Sequence, residues 1–124
     1  IDFFAIPEEF TKTFNQLPRD KFVLCLDTGH SNVASSFGYP TPAELVKLYG
    51  DNIKLLHLHD NHSVIDEHNL PFTGNIDWNL LMQSLDDVGY DGAYNFEVNL
   101  ERFGSELIVD TTKFLSKIAR ELVK

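Results

Sequence analysis

Residue types that bind divalent metals stand at the ends of three separate apolar segments. Asp27 follows the run KFVLCL, His57 lies in the run IKLLHL, and Glu97 follows YNF. If each run is a strand of a parallel sheet, these side chains meet at one edge, because the carboxyl ends of parallel strands lie together. Two carboxylates and an imidazole suit Mn, Co, Zn or Mg, and the histidine favours the transition metals. The sequence therefore predicts a divalent metal site.

A second set of polar residues follows the same segments. His30 comes three residues after Asp27, and Asp66 and His68 lie in the polar stretch after the second apolar run. These three residues could hold another ion or bind a polar substrate. His62 is interpreted as a structural residue, since a single histidine beside a strand is usually not a ligand.

The elements that must position these residues alternate along the chain. Strands are predicted at 22–26, 53–58 and 93–98, and helices at 7–17, 42–49, 76–88 and from Ser105 or Asp110 to the terminus. Loops are predicted at 31–40 and 60–75, and the side chains of Cys25 and Trp78 are expected to be buried. This order predicts an α/β domain with a parallel sheet. The 124 residues are too few for a closed eight-stranded barrel, which needs about 250.

Charge and cysteine content limit the possible partners. The formal net charge is -9 and no cluster of Lys or Arg occurs, so a nucleic acid is a disfavoured partner. No apolar run is long enough to span a membrane. The single cysteine has no partner for an internal disulfide, which fits a reducing compartment and a cytoplasmic location.

The same residues carry a family resemblance. The motifs occur in the order CLDTGH (25–30), HLHDN (57–61), DEHNLP (66–71), GNIDW (74–78) and GYDG (89–92), followed by FEV (96–98). In this order they resemble the xylose isomerase-like TIM-barrel superfamily, which includes sugar isomerases and epimerases and the endonuclease IV type of DNA repair enzyme. One departure lies at Pro71-Phe72-Thr73-Gly74, where the family loop resembles Pro-Gly-x-Gly.

The resemblance implies roles for the matching positions. It makes Asp27, His57 and Glu97 three of the four ligands to a catalytic metal. The second set would hold an additional zinc in the endonucleases and bind substrate in the sugar enzymes: His30, Asp66 and His68. Three further residues would line the same opening of the barrel: His59, Asp60 and Asn61.

The fourth ligand of the family, a glutamate at the end of the preceding strand, has no counterpart here. Residues 1–124 are therefore expected to form the C-terminal part of a (β/α)8 TIM barrel, with three parallel strands, flanking helices and an incomplete barrel.

Three functions follow from the resemblance and the residues. The first is a metal-dependent sugar or sugar phosphate isomerase or epimerase, in which Glu97 is one of two groups that transfer a proton through an enediolate. Because the second group is missing, no useful turnover is expected from this chain alone. The alternative is a zinc-dependent endonuclease at abasic sites in DNA, which the net charge disfavours. The third is a non-catalytic piece that self-associates into a homo-oligomer through exposed sheet edges.

Overall fold

Three parallel strands form the centre of the chain. The computed structural model describes residues 7–124. The strands lie in the order β1 (Leu24–Asp27), β2 (Ile53–Leu58) and β3 (Ala93–Phe96), and both strand pairs are parallel. The register places Asp27 beside His57 and Leu58 beside Phe96. The predicted α/β architecture and the common edge of the strand ends are therefore confirmed.

In the described part of the chain, five helices connect and cover the strands: α1 (Pro7–Phe14), α2 (Thr28–Ser35), α3 (Pro42–Tyr49), α4 (Trp78–Asp87) and α5 (Ile108–Leu122). Short 3-10 turns occupy Gly50–Asn52 and Leu100–Phe103. Thr41 caps α3 in a capping box with Glu44, and Asp77 caps α4. Within residues 7–124, no helix combines the length and the apolar character that crossing a bilayer requires.

The hydrophobic core lies between one face of the sheet and the helices. Leu26, Leu56 and Leu58 point into it from the strands, and Trp78 and Leu81 meet them from α4. Together these side chains exclude water from that face, which is the main source of stability for an α/β layer.

The opposite face of the sheet is open, and the three strands do not close into a barrel. Cys25 is exposed on it, so the prediction of a buried cysteine is wrong. Phe22 and Val23 are also exposed, and β1 begins only at Leu24. The apolar run predicted a strand buried on both faces, whereas the helices of this chain cover a single face.

Helix α2 corrects the predicted loop after β1. Its segment TGHSNVAS has no apolar stripe, so hydrophobic periodicity gives no helical signal there. Polar bonds hold it instead. Asp27 accepts the backbone N–H of His30 at 2.9 Å, and the Ser31 hydroxyl donates to the Asp27 carbonyl at 2.7 Å. The helix therefore starts directly at the end of β1 and carries His30 on its first turn.

Candidate metal centre

The strand ends bring Asp27, His57 and Glu97 together, and we call this group the strand-end triad. Nδ1 of His57 lies 3.1 Å from Oε1 of Glu97 and 3.7 Å from Oδ2 of Asp27. Each residue comes from the end of a different strand, and Glu97 is held there because its N–H donates to the Leu58 carbonyl at 3.1 Å. The three side chains are partly exposed and open towards solvent.

A second group, the loop triad, consists of His30, Asp66 and His68. Oδ2 of Asp66 lies 3.0 Å from Nε2 of His30 and 2.8 Å from Nε2 of His68. His68 has a left-handed backbone with φ 51°, which is uncommon for a residue with a side chain. Its Nδ1–H donates to the Glu97 carbonyl at 2.6 Å, so the loop triad is tied to the end of β3.

The electrostatics of both triads favour a cation. Burial raises the pKa of Asp27, but the hydrogen bonds from His59 and from the His30 N–H outweigh it and leave the pKa below its usual value. Burial lowers the pKa of His68, yet the pKa is raised overall because Nδ1–H donates to the Glu97 carbonyl and Asp66 lies beside the ring. The ionised Asp27 is ready to bind a metal ion, whereas an ion at His68 would displace the proton that the raised pKa favours.

The geometry of both triads fits a divalent metal. Bonds of about 2.1 Å to each ligand hold neighbouring ligand atoms about 3.0–3.4 Å apart, close to the 3.1 Å and 3.7 Å of the strand-end triad. In the loop triad, Nδ1–H of His68 donates to the Glu97 carbonyl, so Nε2, which lies 2.8 Å from Oδ2 of Asp66, is the nitrogen that would bind an ion. Histidine ligands of metals usually donate their other ring N–H to a carbonyl in this way.

A third combination, His59 with His68 and Glu97, also brings possible ligand atoms within 4.8 Å of one another. The rings of His59 and His68 are parallel within 4° and their centroids lie 3.9 Å apart. An ion in the plane of one ring would lie far out of the plane of the other, where no nitrogen lone pair points. This pair therefore cannot share an ion in the observed arrangement.

Asp60 does not line the opening, which corrects the expectation from sequence. Its side chain is fully buried. Oδ1 accepts the N–H groups of Asn61 and Ile76 at 2.9 and 3.3 Å, and Oδ2 accepts the Gly74 N–H at 3.0 Å and the Trp78 indole N–H at 2.8 Å. The carboxylate thus joins the end of β2 to the start of α4. Trp78 is buried, as predicted.

Asn61 is likewise a buried scaffold residue rather than a residue of the opening. Its Nδ2 donates to the Gly29 carbonyl at 2.9 Å, and its Oδ1 accepts the Asn32 amide at 2.8 Å. These bonds attach α2 to the loop after β2, and so fix His30 relative to the loop triad. His59 is fully buried as well, but it contacts Asp27 directly at 2.9 Å.

The role of His62 matches its structural interpretation. Its Nδ1 and its backbone N–H both lie 2.7 Å from Oε2 of Glu67, and it belongs to neither triad. The loop that departs from the family pattern places Phe72 at φ 70°, a left-handed conformation that glycine adopts most easily. The exposed ring lies 5.9 Å from the ring of Trp78.

Comparisons with known proteins point to one fold family. A family model described as "Xylose isomerase-like TIM barrel" matches residues 2–118. The uncharacterized protein y4fM of Sinorhizobium fredii is 28% identical over 94 residues, and the uncharacterized protein MJ1311 of Methanocaldococcus jannaschii is 32% identical over 94 residues. The alignments cover 76% and 73% of this chain but only 29% and 30% of those proteins.

A solved structure shows the same arrangement. The crystal structure of a D-tagatose 3-epimerase-like protein superimposes with a TM-score of 0.66 at 26% sequence identity. The match covers 97% of this chain and 44% of that one. The three strands and their helices therefore correspond to part of a TIM barrel.

Proposed function

Because the chain belongs to the xylose isomerase-like TIM-barrel family, we propose that it carries part of the metal-dependent active site of a sugar isomerase or epimerase. The strand-end triad is the observation that carries the proposal, since Asp27, His57 and Glu97 converge with spacings suited to one ion. The likeness to a D-tagatose 3-epimerase-like protein supports sugar chemistry.

The residues of the triad have separate roles in this proposal. When bound, a divalent metal polarises a sugar carbonyl and the neighbouring hydroxyl, and so acidifies the proton on the carbon between them. Asp27 and His57 hold the ion, while Glu97 both holds it and moves the proton as a general base. The side chain of Glu97 is 35% exposed, so a substrate can reach its carboxylate from the open face.

Metal binding is tested first, by calorimetric titration of the 124-residue chain with Co²⁺ or Mn²⁺. Replacing Glu97 with glutamine removes a charged ligand and is expected to weaken binding by at least about tenfold, since even residues that only support ligands contribute about 10–100-fold. The matched control is Glu101→Gln, because Glu101 is exposed and belongs to neither triad. Equal affinities for the two variants would refute the assignment of Glu97.

Proton transfer is tested by isotope exchange. The metal-loaded chain is incubated with a panel of ketoses and aldoses in D₂O, and deuterium at the carbon beside the carbonyl is followed by NMR. A single base can exchange the proton on one face of the sugar, whereas inversion needs a second group on the opposite face. We expect slow exchange without accumulation of the epimer. Exchange that persists in Glu97→Gln would contradict the role of Glu97.

The loop triad is the observation that supports the alternative function, a zinc-dependent endonuclease. Three ligands from His30, Asp66 and His68 could hold an additional zinc, as in an endonuclease that cleaves DNA at abasic sites. The net charge of -9 opposes binding to a phosphate backbone. Zinc at both triads together with cleavage of an abasic duplex would favour the endonuclease, and one ion with no cleavage would favour the sugar enzyme.

A further inference from the structure

We infer that His59 is a positioning residue that fixes the carboxylate of Asp27 in the strand-end triad. The inference rests on the proposed metal centre and deepens it. His59 is fully buried, and its Nε2 lies 2.9 Å from Oδ1 of Asp27. The backbone N–H of His30 bonds to the same oxygen at 2.9 Å, and His59 is the buried side chain that fixes how the carboxylate is turned.

Both the backbone and the ring of His59 are held in place. The Thr28 hydroxyl donates to the His59 carbonyl at 2.8 Å, and its oxygen lies 3.1 Å from the His59 backbone nitrogen. One side of the ring lies against Gly29, where an added Cβ would come 2.0 Å from the ring carbon Cε1. The ring of His68 stacks 3.9 Å away. This packing restricts the imidazole, and in the observed orientation Nε2 points at Asp27.

The two carboxylate oxygens of Asp27 therefore have different contacts. Oδ1 accepts both the His59 ring N–H and the backbone N–H of His30. Oδ2 faces the rings of His30 and His57, whose Nδ1 atoms lie 3.3 and 3.7 Å away. A carboxylate turned in this way offers a single oxygen to an ion, and its angle is set before the ion arrives. Preorganisation of a ligand by a buried hydrogen bond is a common means of raising metal affinity.

The second ring nitrogen of His59 supports this role. Nδ1 is buried and has no hydrogen-bond partner within the described part of the chain. It lies 3.5 Å from Oδ1 of Asp66. A buried polar atom without a hydrogen bond destabilises the fold, so contacts of Nδ1 do not explain the orientation of the ring. The hydrogen bond from Nε2 to Asp27 does explain it.

Two amide variants separate the two nitrogens. In His59→Gln the side-chain NH₂ can reach the position of Nε2, whereas in His59→Asn it reaches only the position of Nδ1. We expect Co²⁺ binding, measured by calorimetry and by the visible spectrum of the bound ion, to weaken about 10–100-fold in His59→Asn. It should stay within about threefold of the unsubstituted chain in His59→Gln. Thermal unfolding of the metal-free variants shows whether either has lost its fold.

The outcomes distinguish the inference from the proposal on which it rests. If the unsubstituted chain binds no Co²⁺, the metal centre fails and the role of His59 fails with it. If that chain binds Co²⁺ and both variants bind equally well or equally poorly, only the role of His59 is refuted. If neither variant folds, the position of the ring proton of His59 can still be measured in the unsubstituted chain. Nitrogen-15 NMR should find a proton on Nε2 of His59, and a proton on Nδ1 alone would overturn the inference.

Discussion

Replacing Asp60 with asparagine should strongly destabilise the chain. Its two carboxylate oxygens accept four hydrogen bonds in a fully buried position, two at each oxygen. Either orientation of the asparagine amide places an NH₂ group against two N–H donors. A hydrogen bond to a charged group contributes about 1.5–3 kcal/mol, so the loss of two lowers the free energy of unfolding by about 3–6 kcal/mol. This is a large fraction of the roughly 5–15 kcal/mol typical of a domain.

Urea unfolding measures this change. Trp78 reports it directly, because it is the only tryptophan of the chain and its indole N–H donates to Asp60. With a slope of about 2 kcal/mol per molar, the midpoint should fall by about 2 M. The matched control is Asp91→Asn, whose carboxylate is 84% exposed and 3.6 Å from Lys54. Such a surface change is expected to stay within about 0.5 kcal/mol. If both variants unfold at the same urea concentration, the reasoning about Asp60 is refuted.

Three other substitutions test separate features by their effect on the free energy of unfolding. Gly29→Ala places a methyl group 2.0 Å from the His59 ring and should destabilise the chain by about 1–3 kcal/mol; an unchanged melting temperature would contradict the close approach. At Phe72, with φ 70°, glycine should be more stable than alanine by about 1 kcal/mol, the reverse of their usual order; alanine being the more stable would refute the left-handed backbone. Burial raises the pKa of Tyr90 to about 12, so the stability it contributes is complete below pH 10 and is lost as the pH rises towards 12. Tyr90→Phe should therefore lose less stability than the unsubstituted chain over that interval, and parallel pH profiles would contradict the assignment.

The fold was predictable where apolar residues decide it. The runs at β2 and β3, the capping residues of α3 and α4, and the stripe containing Trp78 and Leu81 each left a pattern in the sequence. Helix α2 left none, because hydroxyl and carboxylate bonds hold it rather than an apolar face. The exposure of Cys25 was also invisible, since a run of apolar residues does not reveal how many faces of a sheet are covered.

The candidate site was also predictable from the sequence only in part. The convergence of Asp27, His57 and Glu97 follows from strand direction alone, and the structure brings these residues together. The burial of Asp60 depends on which N–H groups of a distant turn need an acceptor, and that of Asn61 on its bonds to the Gly29 carbonyl and the Asn32 amide. Sequence spacing does not report either need. The pairing of His59 with Asp27 joins the end of β1 to the residue that follows β2, and neither segment signals the other.

The open face of the sheet also governs how strongly the strand-end triad attracts an ion. Water reaches this face, so the field of the two carboxylates is weakened by a high dielectric constant. Two opposite charges 4 Å apart attract by about 1 kcal/mol in water but by about 4 kcal/mol at an effective dielectric constant of 20. Any protein surface that covers the face and excludes water should make the same three residues bind the same ion more tightly, without a change in their positions.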